Sequence, residues 1–147
     1  MVKLDPTISL TSALSVLPFI QSLDHYYPDI THWYVNKVVP GLSLGNDKLL
    51  IARDNGVIAG VALGKMGEES KLRCIRVHPD YQNTGLGIRL IDSMLELIED
   101  GKPGVTVSEE MLHQYSRAFV KRYGFELSDV TKGRYRRGKL EYAFNGA

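Results

Sequence analysis

An α/β (α+β) fold, with a mixed, mostly antiparallel sheet flanked by helices, is what the pattern of this chain predicts, and three observations predict it. Apolar runs of strand length cluster in the middle and at the end of the chain. Segments of helical period alternate with them. No linker, repeat or low-complexity stretch divides the 147 residues, so one domain over 1–147 is expected.

The elements follow in order. Val2 to Leu4 predicts a short strand that Asp5-Pro6 should end. Leu10, Ala13, Leu14 and Leu17 recur at helical spacing, with a kink at Pro18 before Phe19 to Leu23. The aspartates, proline and aromatics of DHYYPD, Asp24 to Asp29, predict a loop, and a second helix is expected from Ile30 to Val39, stopping at Pro40-Gly41. From Lys48 the period changes: KLLIAR and VIAGVALGK are strand-length runs joined by Asp54-Asn55-Gly56, and Asn-Gly is a strong hairpin signal. A third strand is expected over Leu72 to Val77. Ile88, Ile91, Met94, Leu95 and Ile98 then follow one helix face, with Arg89, Asp92, Glu96 and Glu99 opposite and Gly101 as the stop. GVTV is a short buried strand. Ser108 is placed to cap the next helix, whose first turn carries Glu109 and Glu110 and whose buried side is marked by Leu112, Tyr115, Ala118 and Phe119. Gly124 ends it, and strands over Phe125 to Val130 and Leu140 to Phe144 close the chain around a basic turn.

Composition narrows the function. Eighteen basic and 17 acidic side chains leave a net charge of +1, which supplies no general pull toward nucleic acid or anionic membrane. The lone Cys74 has no internal partner and lies in an apolar strand, so a reducing, cytoplasmic setting and a small buried apolar role are expected. ISLTSALSVLPFI is interrupted by Ser and Thr and too short to span a bilayer, so a packed helix is expected and no membrane partner. No metal site is expected.

The informative stretch is VHPDYQNTGLG, Val77 to Gly87. Glycine forms helices poorly, so two of them at a helix start serve the backbone. A helix N-terminus exposes unpaired N–H groups and attracts phosphate, and Gly85 and Gly87 keep side chains away from those donors. A P-loop would need Gly-Lys-Ser/Thr, and Ile88 follows Gly87. A dinucleotide fingerprint would need a further glycine where Leu90 stands.

VHPDYQNTGLGIRLIDSML resembles the cofactor motif of the GNAT N-acetyltransferase superfamily, Val-x-Pro followed by Gln/Arg-x-x-Gly-x-Gly/Ala opening a helix. Val77, Pro79, Gln82, Gly85 and Gly87 occupy the defining positions, and Gly124-Phe125 matches the family's recurrent Gly-Phe after the last helix, so the likeness extends over nearly the whole chain. The resemblance implies acetyl-CoA as cofactor. Its diphosphate would meet the main chain of Gln82, Asn83, Thr84, Gly85, Leu86, Gly87 and Ile88. Its pantetheine arm would lie along Ile75, Arg76 and Val77, between that strand and a splayed GVTV.

Acyl transfer to an amine requires a neutral amine, a polarised thioester and a proton for the departing thiolate. Many family members place a tyrosine four residues before the Gly-Phe glycine, and here that position is Val120. On a regular helix His113 and Ser116 share the face of Val120, and Tyr115 lies off it. His113 and Ser116 are therefore expected against the cofactor, with Tyr115 and His113 the candidate acids. Glu109, just beyond GVTV, is the candidate base. Asp24, Tyr26, Tyr27 and Asp29 are expected at the acceptor pocket, with His25 and Trp33 adding to an aromatic wall. The basic turn TKGRYRRGK offers a grip on a phosphate-bearing acceptor or RNA, or is simply a solvated hairpin. The expected activity is N-acetyl transfer to a primary amine, small molecule or peptide, by a monomer or homodimer. The alternatives are a non-catalytic acyl-CoA-binding module and an RNA-associated acyltransferase.

Overall fold

The computed structural model describes residues 2–7 and 9–147. Seven strands form one sheet in the order β1-β2-β3-β4-β5-β7-β6. These are β1 Val2–Thr7, β2 Asp47–Asp54, β3 Val57–Lys65, β4 Lys71–Val77, β5 Gly104–Ser108, β6 Leu127–Lys132 and β7 Leu140–Phe144. Every neighbouring pair is antiparallel except β4 and β5, which are parallel. The helices are α1 Leu10–Ser15, α2 Leu17–Gln21, α3 Ile30–Trp33, α4 Val39–Leu44, α5 Leu86–Leu97 and α6 Glu109–Arg117. The expected mixed, mostly antiparallel α/β architecture is the one observed.

The unbroken apolar runs of β2 and β3 have a simple cause: both sheet faces are covered. On one face Leu49, Ile51, Val61 and Leu63 pack against Ala13, Val16, Ile20, Tyr34, Val38 and Leu42 of the α1–α4 layer. On the other, Leu50, Ala52, Ala62 and Leu72 pack against Leu90, Ile91 and Met94 of α5 and Phe119 beyond α6. α5 comes so close to β3 that a Cβ on Gly64 would lie 2.6 Å from the Met94 sulfur.

Several boundaries and one helix cap differ from the sequence expectation. β1 runs through Asp5-Pro6 to Thr7, because it is an edge strand and Pro6, opposite Leu50, forfeits no interior ladder bond. The helix beginning at Ile30 does not stop at Pro40: a π turn over Tyr34–Val38 shifts the register, Pro40 falls in the first turn of α4, and the end comes at Gly45 (φ 85°). α5 is reversed at Glu99 (φ 56°) rather than Gly101, with Asp100 N–H returning to the Leu95 carbonyl. Ser108 holds the N-cap position of α6 without a side-chain capping bond.

Candidate active site at the β4–β5 seam

The β4–β5 seam is where the sheet opens. Pairing is confined to Lys71 with Gly104 and Leu72 with Val105, backed by a bond from Gly104 N–H to the Ser70 carbonyl. Beyond it the two strands diverge. Arg73 is an extra residue in β4, since Leu72 faces Gly64 and Cys74 faces Leu63, and such a bulge increases local twist. The gap is a cavity of about 460 Å³. Ile75, Val107, Met111, Tyr115 and Phe119 line it from the α5–α6 layer, and Tyr26, Tyr27, Asp29, Ile30, Trp33 and Arg73 from the α1–α4 layer.

The second component is the start of α5. Asn83 (φ 63°) and Gly85 (φ 83°) are left-handed, and Gly85 is the N-cap without a side-chain bond to the helix. The first helical amide returned to the backbone is that of Arg89, to Gly85 O, so the N–H groups just before it have no helical acceptor. A Cβ at Gly85 would meet nothing within 4 Å, and one at Gly87 would meet Tyr115 and Val77 at 3.7–3.8 Å, ordinary contact. The fold therefore leaves room at this set of donors, a concavity of the kind that takes anions.

The family profile of the Acetyltransferase (GNAT) domain matches residues 31–138. The chain belongs to the GNAT N-acetyltransferase superfamily. Solved structures agree on the fold. A GNAT-family protein from Desulfovibrio desulfuricans superposes with a TM-score of 0.75 at 21% identity, covering 98% of this chain and 97% of the other. The ribosomal-protein-S18-alanine N-acetyltransferase of Escherichia coli gives 0.73 at 18%, over 98% and 92% of the chains. The PaiA N-acetyltransferase of Thermoplasma acidophilum, solved with coenzyme A, gives 0.68 at 14%, over 96% and 98%. No curated protein matches the chain.

In this GNAT domain the site residues expected from sequence are spread over the cavity, the α5 start and positions outside both. Ile75, Tyr26, Tyr27, Asp29 and Tyr115 line the cavity. Gln82, Asn83, Thr84 and Gly85 are exposed at the α5 start, Leu86 sends its side chain into the core, and Ile88 is half-buried. Val77 is buried, and Arg76 Nε donates to Ser22 Oγ at 3.2 Å. Ser116 is half-buried. Outside the cavity lining lie Asp24, exposed beside His25; His113, exposed; and Glu109, whose carboxylate accepts from Leu140 N–H at 3.1 Å. Arg89 donates to the Val2 carbonyl.

The inversion of Tyr115 and His113 has a geometric cause. A π turn over Ala118–Arg122 lies between α6 and Gly124, so counting back from Gly124 at 3.6 residues per turn misplaces the inward face. Tyr115 stacks on Phe119 at 5.8 Å and is 8% exposed. Burial pushes its hydroxyl up to about 12, with the Cys74 thiol adding and Arg76 opposing. Burial likewise raises the Cys74 thiol to about 12, leaving it a protonated wall of the cavity.

Behind the aromatic wall lies a group with no local sequence signal. Tyr27 donates to Glu141 Oε1 at 2.9 Å and meets Tyr135 edge-on at 5.2 Å. Glu141 is 5% exposed, and burial raises its pKa against the opposing effects of Tyr27, Arg136 and Arg134. Arg136 donates to both Glu110 oxygens at 2.9 and 2.6 Å, lies 5.6 Å over Tyr26, and so ties the β6–β7 turn to the α6 start and the α2–α3 loop. Only a β-strand pattern flagged Glu141, and alternation alone does not distinguish a buried carboxylate from a solvated one.

Proposed function

We propose that this chain transfers acetyl from acetyl-CoA to a primary amine by direct attack, with the reaction at the β4–β5 seam. The observation that carries this reading is the conjunction of an uncapped α5 N-terminus with a cavity opening beside β4. Acetyl-CoA supplies the activated acyl thioester. The α5 amides from Gly85 to Ile88 bind the diphosphate, and the strand edge of β4 beyond Leu72 offers main-chain groups to the pantetheine amides. Tyr115 holds its proton throughout the neutral range and is placed to donate it to the leaving thiolate. Tyr27 and Trp33 exclude water on the side where the amine enters.

Titration calorimetry with acetyl-CoA, paired with thiol release in the presence of amines, tests this. Gly87→Leu should keep the fold and weaken binding about 100-fold, since its side chain projects from the donor set beside Tyr115. Unchanged affinity in that variant would refute the placement of the diphosphate. Tight binding without turnover on any amine would favour a non-catalytic acyl-CoA-binding module.

A further inference from the structure

The reading above leaves the acceptor undefined beyond its amine, and the α1–α4 side of the cavity narrows it. Arg73 stands at the β4 bulge on that side, with its guanidinium 5.3 Å from the Trp33 ring centre. Its Nε is buried without a hydrogen-bond acceptor among the described residues. The nearest carboxylate, Asp47, lies 3.9 Å away, inside Coulomb range but beyond hydrogen-bond length. Arg73 is thus oriented by stacking and partly charge-balanced from behind, with donor capacity left unused. Arg134 lines the same cavity, 5.3 Å from the Tyr135 ring centre.

Charges around the cavity point the same way. Among the described side chains, its lining carries Lys71, Arg73 and Arg134 against one carboxylate, that of Asp29. The other nearby acids are engaged: Glu110 holds Arg136, and Glu141 accepts from Tyr27. A polycationic acceptor would meet like charge here, whereas an oxyanion would add hydrogen bonds to a half-buried guanidinium whose Nε has no acceptor among the described residues. The cofactor has its own anion site at the α5 start. α5 packs on the opposite sheet face from Trp33 and the α1–α4 layer, so the two anion sites do not compete.

Resting on the proposed transferase reading, we infer that the acceptor is an amine bearing an oxyanion, a carboxylate or phosphate, bound by Arg73 with support from Arg134. Thiol release from acetyl-CoA should be compared for matched pairs: L-alanine against L-alaninamide, and O-phospho-L-serine amide against L-serine amide, with spermidine as the cationic extreme. The oxyanion partner of at least one pair should be favoured about tenfold in kcat/KM, and which pair shows it distinguishes carboxylate from phosphate. Arg73→Met, which keeps an apolar chain on Trp33, should abolish that ratio without altering the Kd for acetyl-CoA, and Arg73→Lys should restore part of it. Arg134→Gln, on an exposed turn, should reduce the ratio severalfold and provides a second handle should Arg73→Met misfold. Preference for spermidine or for the amides overturns the inference and leaves the transferase standing. So does a preference that survives both variants, or acetyl-CoA binding with no turnover of any of these amines. Failure to bind acetyl-CoA overturns the transferase reading itself.

Discussion

β4 meets β3 along its whole length, from Lys71 opposite Lys65 to Val77 opposite Gly60, yet meets β5 only at Lys71 and Leu72. The two sides of one strand therefore serve different ends. The β3 side is a closed antiparallel ladder with apolar layers on both faces, whose role is stability. The β5 side is parallel and released by the Arg73 bulge, and its edge groups are left for something other than a neighbouring strand. The proposed reaction lies where the sheet declines to pair, beside aromatic side chains that are themselves firmly packed.

The sharpest way to break that contrast is to remove the packing that supports the open seam. Phe119 is 2% exposed, contacts Tyr115, Phe125 and Phe144, and lines the cavity. Phe119→Ala should lower unfolding free energy by about 3–5 kcal/mol in urea titration. A loss under about 1 kcal/mol would mean that the seam does not depend on this cluster.

Next in size is Tyr115→Phe, which keeps the ring stack and removes the proton. A fall of about 100-fold in kcat, or about 2.7 kcal/mol, is expected with the acetyl-CoA Kd unchanged. Because burial raises this hydroxyl to about 12, the wild-type rate should show no tyrosine limb below pH 10, a limit set roughly at the ordinary tyrosine range. Equal kcat in the variant would exclude Tyr115 as the acid.

A smaller effect is expected at the mouth. Arg136→Met unties the β6–β7 turn from Glu110 and Tyr26 and should raise the acceptor KM about three- to tenfold, with about 1 kcal/mol lost in stability. A change confined to the acetyl-CoA Kd would place the turn on the wrong side of the seam.

The smallest effects lie in pH dependence, and two acids should move oppositely. Glu141 has its pKa raised by burial, so its contribution is complete at low pH and is lost as pH rises out of the ordinary carboxylate range. Glu110 is lowered, first by the Arg136 hydrogen bond, so its contribution is present at neutral pH and is lost on acidification. Glu141→Gln should therefore flatten the decline in stability as pH rises above the ordinary carboxylate range, whereas Glu110→Gln should flatten the acid side. Thermal midpoints measured against pH distinguish the two.

Much of the closed half was legible in the residues. The change from helical period to strand-length apolar runs at Lys48, the Asn55-Gly56 turn (φ 49° and 83°) and the face of α5 are local signals, and each lies where the pattern puts it. The α5 start was legible too, because glycines at a helix opening have few other uses. The open half was harder to read. The bulge at Arg73 shows in KLRCIRV only as the adjacent apolar Cys74 and Ile75, which a strand buried on both faces also allows, and the π turns at Tyr34–Val38 and Ala118–Arg122 each insert a register shift that an ideal helix count does not contain. Tyr115 faces the cavity on the side that helical periodicity marked as buried, whereas the count back from Gly124 across the π turn pointed to His113. Glu141 and Tyr27 are separated by 114 positions, and their meeting depends on the order β5-β7-β6, which no local pattern encodes.

The most direct test is a crystal structure of the complex with coenzyme A. Density for the diphosphate on the amides of Gly85 to Ile88, with the pantetheine arm running beside β4 from Ile75 to Val77 and the thiol near Tyr115, is the expected outcome. Density for the ligand elsewhere, or a β5 that pairs with β4 along that stretch and shuts the seam, would refute the placement of function in the unpaired half of the sheet.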